Sequence, residues 1–254
     1  MDQLIIFNCI LLCIISAALF FTKRHAKNDK RKNGILLFSA VLTILCHYSS
    51  FLFLLFSGGD ATAYLKSNPN LLLPIYPCNV VMWGCFVFGC FKNKMSKVAQ
   101  FLADYLFWFG IFSTLVGMFA NVDFLRDPSF QNYEVTKSIL AHATLLFNVL
   151  LIFAFGHVKV DLPQNMTHIT LSVVMMYLLG QYCNLLFTTL ASPEVANSVN
   201  SMFILHSPFP DIPFLTYPII AGCALVLYFL MFAVCEIFAY PKGNRWFNRM
   251  KPTP

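Results

Sequence analysis

Charge is what this chain has least of. Asp and Glu number 11 and Lys and Arg 17 in 254 residues, so charged side chains make up 11%, against about a quarter in a soluble globular domain. With 58% hydrophobic residues and a mean hydropathy of +0.69, there is too little polar surface to dissolve a fold of this length, and a water-soluble enzyme is excluded. Motifs are missing too. There is no Gly-rich phosphate loop, no H-E-x-x-H and no clustered carboxylates, so no metal and no nucleotide cofactor is expected. The nine cysteines form no C-x-x-C or C-x-x-H pair and nearly all lie inside apolar runs, which argues against a disulfide framework. Cys9 and Cys13, four apart in the first run, read as packing residues. No basic residue precedes that run, and Lys23, Arg24, Lys27, Lys30, Arg31 and Lys32 follow it; a signal peptide has the opposite polarity, so the run is expected to stay as an anchor. The formal charge of +6 does not call for nucleic acid, because the basic residues gather in short segments beside apolar runs, where membrane topology explains them.

Long apolar windows are what is there. Seven of them, near residues 3–22, 34–56, 73–91, 98–120, 135–156, 166–190 and 213–239, are long enough for membrane helices of about 20 residues. The expectation is an all-α, polytopic transmembrane bundle, with residues 1–254 as a single domain in the cell membrane. Lysine and arginine place it. Lys92, Lys94 and Lys97, then Lys242, Arg245, Arg249 and Lys251, fall on the same side as the cluster after the first run. The opposite loops hold Asp60, Asp123, Asp127, Glu134, Glu194 and Asp211 against Lys66, Arg126 and Lys137. By the positive-inside rule the N-terminus is outside and the C-terminus cytoplasmic.

Polar residues within the spans are the candidates for function. At Leu72 to Asn79 (Leu-Leu-Pro-Ile-Tyr-Pro-Cys-Asn), two prolines suit a helix entering from a loop. A helix starting near Leu73 puts Cys78 about 8 Å below the outer surface. In the second span His47, Tyr48, Ser49 and Ser50 are expected to face the bundle and hydrogen-bond a neighbouring helix. Gly110, Ser113, Thr114 and Gly117 in the fourth span read as a close-packing face. His142, seven residues into a span starting near Val135, comes about 10 Å below the outer surface, close to the level of Cys78. Tyr177, Gln181, Asn184 and Thr188 make a polar stripe along one helix face, expected to turn toward other helices or a wet cavity. The loop at Asn200-Ser201-Met202-Phe203-Ile204 is apolar enough to act as a lid.

Several stretches in order resemble the YwaF-like integral membrane proteins, which are related to vertebrate membrane phospholipid acyltransferases of the same superfamily. Leu73-Pro74-Ile75-Tyr76-Pro77-Cys78 looks like the family's Leu-Pro, apolar, His, apolar, Cys opening of the third helix, departing at Tyr76. Phe107-Trp108-Phe109-Gly110 through Thr114, the exit at Asn121 to Asp123, Ala141-His142-Ala143 and Asn200-Ser201-Met202-Phe203 with Pro208 look like its later motifs. The resemblance covers about residues 70–240. It implies a lipid acyltransferase in which Cys78 is the nucleophile and His142 its proton acceptor. Asn79, Gln181 or Asn184 would steady the oxyanion, with Asn200 on the substrate side and membrane lipids as substrates. Two other readings stay open on the residues alone: a non-catalytic carrier or channel lined by the polar stripe, and a lipid hydrolase centred on His142.

Overall fold

The computed structural model describes residues 2–121, 124–125, 127–207 and 212–249, so Asp123, Arg126, Pro208, Asp211 and Lys251 lie outside the described residues. Among the described residues the chain is all helix and loop. Six helices are long and apolar enough to cross a membrane: α1 Asp2–His25, α2 Asp29–Phe56, α5 Lys97–Phe119, α6 Tyr133–Ala154, α7 Leu162–Leu190 and α9 Tyr217–Ala239. Two short helices, α3 Ala61–Ser67 and α8 Pro193–Ser198, lie in loops. The remaining apolar helix, α4 Pro77–Cys90, has only 14 residues. At ~1.5 Å per residue it reaches ~21 Å, short of a hydrocarbon core of about 30 Å.

The helix expected from Leu73 begins instead at Pro77, and the cause is local. A proline pushes the residue before it out of the helical region, and Tyr76 is extended, with φ −115° and ψ 152°. Leu73 to Tyr76 is therefore non-helical, and Pro77 takes the first helical position, where its missing N–H costs nothing.

Contacts group the chain into two compact units, residues 1–158 and 159–254. In the first, α2 packs on α4 and α6, and α6 packs on α1 and α5. Polar side chains tie these apolar surfaces together: Asn8 Nδ2 donates to Met118 O at 2.7 Å, and Ser39 Oγ to Asn148 Oδ1 at 3.0 Å. The α2 and α4 helices run antiparallel, since Asn79 meets His47 and, ten residues on, Gly89 meets Leu37. A Cβ at Gly89 would stand 3.1 Å from the Leu37 Cα, so glycine lets the two backbones close up there. Midway along α5, a wider π turn over Tyr105–Phe109 carries the buried Phe107 and Trp108.

At the far end of α4, Lys94 folds back and donates to Phe88 O at 3.0 Å and Phe91 O at 2.9 Å. Its ammonium also lies 5.0 Å from the Phe88 ring centre. It satisfies carbonyls that a helix end leaves open, and burial lowers its pKa. His157 packs edge-on against the same ring at 5.5 Å. Its pKa is lowered by burial first and then by the charges of Lys94 and Lys32.

In the second unit, α7 and α9 pack together. Tyr217 Oη donates to Val173 O at 2.6 Å, and Tyr240 Oη to Val160 O at 2.9 Å. The fully buried Glu236 carboxylate accepts from Leu162 N at 2.9 Å and Trp246 N at 2.6 Å. The Asn200 loop lies on α7, where a Cβ at Gly180 would come 2.5 Å from Ile204 Cδ1.

Candidate functional site

The short α4 is what makes a site. His47 lies nine residues before the end of α2, about 14 Å along that helix, and Asn79, in the first turn of α4, is hydrogen-bonded to it. The N-terminus of α4 therefore opens inside the bundle, well below the end of α2. Cys78 is the second residue of α4 and half-buried. A helix N-terminus carries partial positive charge and unpaired N–H groups. The Asn79 N–H bonds Tyr76 O at 3.0 Å, whereas the Cys78 N–H has no partner among the described residues. One free amide thus points out of the helix end beside the thiol.

His142 sits nine residues into α6, which starts at Tyr133, two residues earlier than expected. Distances measured from helix starts therefore no longer match Cys78 to His142. The neighbouring helix supplies the register instead. Lys137 on α6 donates to Ser50 on α2 at 3.0 Å, and Tyr133 Oη donates to Ser49 Oγ at 2.8 Å. Lys137 lies opposite Ser50 and Cys46, and Asn148 opposite Ser39, so His142, between them on α6, comes about one turn deeper than His47.

The ring of His142 is held from two sides. Its Nδ1 lies 2.8 Å from Ser138 O; a carbonyl only accepts, so Nδ1 carries the proton and Nε2 the lone pair in the neutral ring. On the other side Gly117 of α5 packs against the ring, and a Cβ there would overlap Cδ2 and Nε2. Gly117, expected to serve helix packing, does so by making room for the histidine of α6. Asn121 completes the support, donating to Gly117 O at 2.9 Å and Ser138 Oγ at 3.0 Å.

Above this level the interior stays polar. Lys137 is ion-paired with Glu134, whose other oxygen accepts from Tyr64 Oη at 3.2 Å. Cys46 Sγ lies 4.0 Å from Lys137 O. Tyr48 Oη donates to Leu71 O at 2.9 Å, which anchors the loop leading to α4. The pairing of Lys137 with Glu134 explains a cation among otherwise acidic loops.

Cys78, Asn79 and His142 all belong to the first unit. Gln181, Asn184 and Asn200 belong to the second. Gln181 is exposed, and its amide donates to Tyr177 Oη at 3.0 Å. Asn184 is buried, and both ends of its amide meet Ser201: Oδ1 accepts from the backbone N–H at 2.8 Å, and Nδ2 lies 3.5 Å from the carbonyl. Asn200 donates to His206 O at 2.7 Å and accepts from Leu205 N at 3.0 Å. These two asparagines shape the loop. His47 is the residue whose partner on α4 could not be read from its own span, since the bond joins positions 32 apart.

No curated protein matches the chain, and no solved structure matches it. The model of the TMEM164 family does match, over residues 1–236. The apolar helices make this a multi-pass membrane protein, and the chain belongs to the TMEM164 family.

Proposed function

We propose that this protein is an integral acyltransferase of the cell membrane that moves a fatty acyl group between phospholipid and lysophospholipid through Cys78 and His142. What carries the reading is the place of Cys78: a thiol in the first turn of a half-length helix that opens inside the bundle, about one turn above the level of His142. His142 Nε2 takes the Cys78 proton, and the thiolate attacks the ester carbonyl carbon. The carbonyl π electrons move to oxygen, where the Cys78 N–H and the Asn79 amide are the donors at hand. Collapse breaks the ester C–O bond, and the leaving glycerol oxygen takes the proton from His142. A lysophospholipid hydroxyl then gives its proton to His142 and attacks the thioester, expelling the thiolate, which His142 reprotonates. The positive-inside count sets this chemistry in the outer half of the bilayer.

Acyl transfer in proteoliposomes with labelled phospholipid tests the proposal. Cys78→Ala should abolish both the transfer and a hydroxylamine-sensitive acyl adduct, while Cys85→Ala, two turns deeper in the same helix and fully buried, should keep both. His142→Ala should slow adduct formation by two orders of magnitude or more, on the order of the loss of an activating base. Full transfer by Cys78→Ala would rule out the thioester. Free fatty acid as the sole product would point to a hydrolase, and no product with lipid movement to a carrier.

A further inference from the structure

Asn79 has an unusual side chain for its position: it is 3% exposed, and its Oδ1 has no hydrogen-bond partner among the described residues. Its Nδ2 lies 3.2 Å from His47 Nε2. Buried amide oxygens are almost always paired, so an orphan one residue from a candidate nucleophile points to a ligand. The pair has two isosteric forms, because a neutral imidazole can carry its proton on either nitrogen and an amide can turn by half a rotation. With Nδ2 donating to the Nε2 lone pair, Oδ1 is left over. In the other form Nε2–H donates to Oδ1, and the NH2 group takes the orphan's place. That second form leaves two N–H donors beside Cys78 with nothing to bond until an electron-rich oxygen arrives.

We propose that His47 is a positioning residue, holding the Asn79 amide with its N–H groups toward the acyl carbonyl oxygen when Cys78 attacks. The inference rests on the Cys78 reading above and extends it. Asn79 touches the reacting oxygen, and His47 acts through Asn79.

An oxyanion donor assists attack on a carbonyl but not displacement at a saturated carbon, and this difference supplies the test. Purified protein in nanodiscs is treated with a long-chain p-nitrophenyl ester, or separately with iodoacetamide, and modification of Cys78 is followed by peptide-resolved mass spectrometry. His47→Leu should slow acylation of Cys78 about 100-fold, in the range for loss of one oxyanion donor, and leave alkylation within about twofold. His47→Gln, whose amide N–H can still donate to Oδ1, should recover most of the acylation rate. Asn79→Asp keeps an acceptor for His47 but has no donor, and should acylate as slowly as His47→Leu. It also covers the case in which the leucine variant fails to fold. Equal acylation of wild type, His47→Leu and Asn79→Asp overturns the inference and leaves the thioester reading standing. A parallel fall in alkylation also overturns it, by showing that His47 acts on the thiol or the fold. If wild-type Cys78 is alkylated but never acylated, both the thioester reading and this inference fail.

Discussion

Replacing Gly117 by alanine adds a single methyl group, and the structure tells where it goes. The new Cβ would overlap Cδ2 and Nε2 of His142 and lie 2.7 Å from its Cγ. Nδ1 is already tied to Ser138 O at 2.8 Å, so the ring must give up that bond or leave its rotamer. Overpacking of this kind costs about 1–3 kcal/mol. Alanine in a helix returns roughly 1 kcal/mol over glycine, so the net loss of stability is small, on the order of 0–2 kcal/mol. The catalytic effect should be far larger, since moving a reacting group by about 1 Å can cost about 100-fold in rate. Gly110→Ala is the control. There the Cβ would stand 2.7 Å from Val149 Cγ2 and 3.1 Å from Val81 Cγ1, a milder overlap and one on apolar side chains. Transfer rates per folded protein, with folding monitored by thermal size-exclusion, should fall about 100-fold for Gly117→Ala and by a few-fold at most for Gly110→Ala. In a His142→Ala background the Gly117 substitution should add almost nothing, because the ring it strikes is gone. Equal turnover in the two glycine variants would refute the view that Gly117 exists for His142.

Lys94→Met keeps the aliphatic stem but leaves the carbonyls at the end of α4 without their donor; at about 1.5–3 kcal/mol for lost charge-assisted bonds, amide exchange in the last turn of α4 should quicken at least tenfold, and unchanged exchange would show that water replaces the ammonium. His157 is the pH-sensitive group at that end: its folded pKa is depressed, so its contribution to stability is complete above the ordinary value of about 6.5 and is lost as pH falls toward the folded value. The midpoint of thermal unfolding should drop between pH 7 and pH 5, and His157→Phe, which keeps the ring contact with Phe88, should flatten that dependence. Single cysteines at Lys30 and Asn197, both exposed, should react with impermeant thiol reagents from opposite sides of a sealed membrane; labelling from one side would overturn the proposed topology.

The apolar helices were legible in the sequence because a membrane span is written as a long run, and hydropathy needs no partner to be read. What hydropathy blurred was the start of α4. Leu72, Leu73 and Ile75 are as apolar as the helix that follows, so a window joins them to it, although Pro77 already requires Tyr76 to be extended. That four-residue shift matters, since it moves Cys78 from the body of a helix to its positively polarised end. The expected nearness in depth of Cys78 and His142 rested on two starting points that the structure moves, and no single span contains the reason: α4 begins deep, opposite His47, and the bonds from α2 to α6 carry His142 about a turn deeper still. The stripe on α7 shows the converse. Gln181 and Asn184 are three apart and share a face by periodicity, but they fall on either side of a packing boundary, one exposed and one buried against Ser201.

Leucines and phenylalanines in lipid say little about register, because one apolar contact replaces another at small cost. A polar group in the same place must find a partner or remain costly. The bonds from Ser39 to Asn148 and from Lys137 to Ser50 set α2 against α6, and His47 with Asn79 sets α2 against α4. These three pairs fix the height of every residue in the candidate site. The few polar side chains in an apolar chain therefore carry both its register and its chemistry, and an amide such as Asn79, which holds α4 to α2 with one end and leaves the other unpaired, is where the two uses meet.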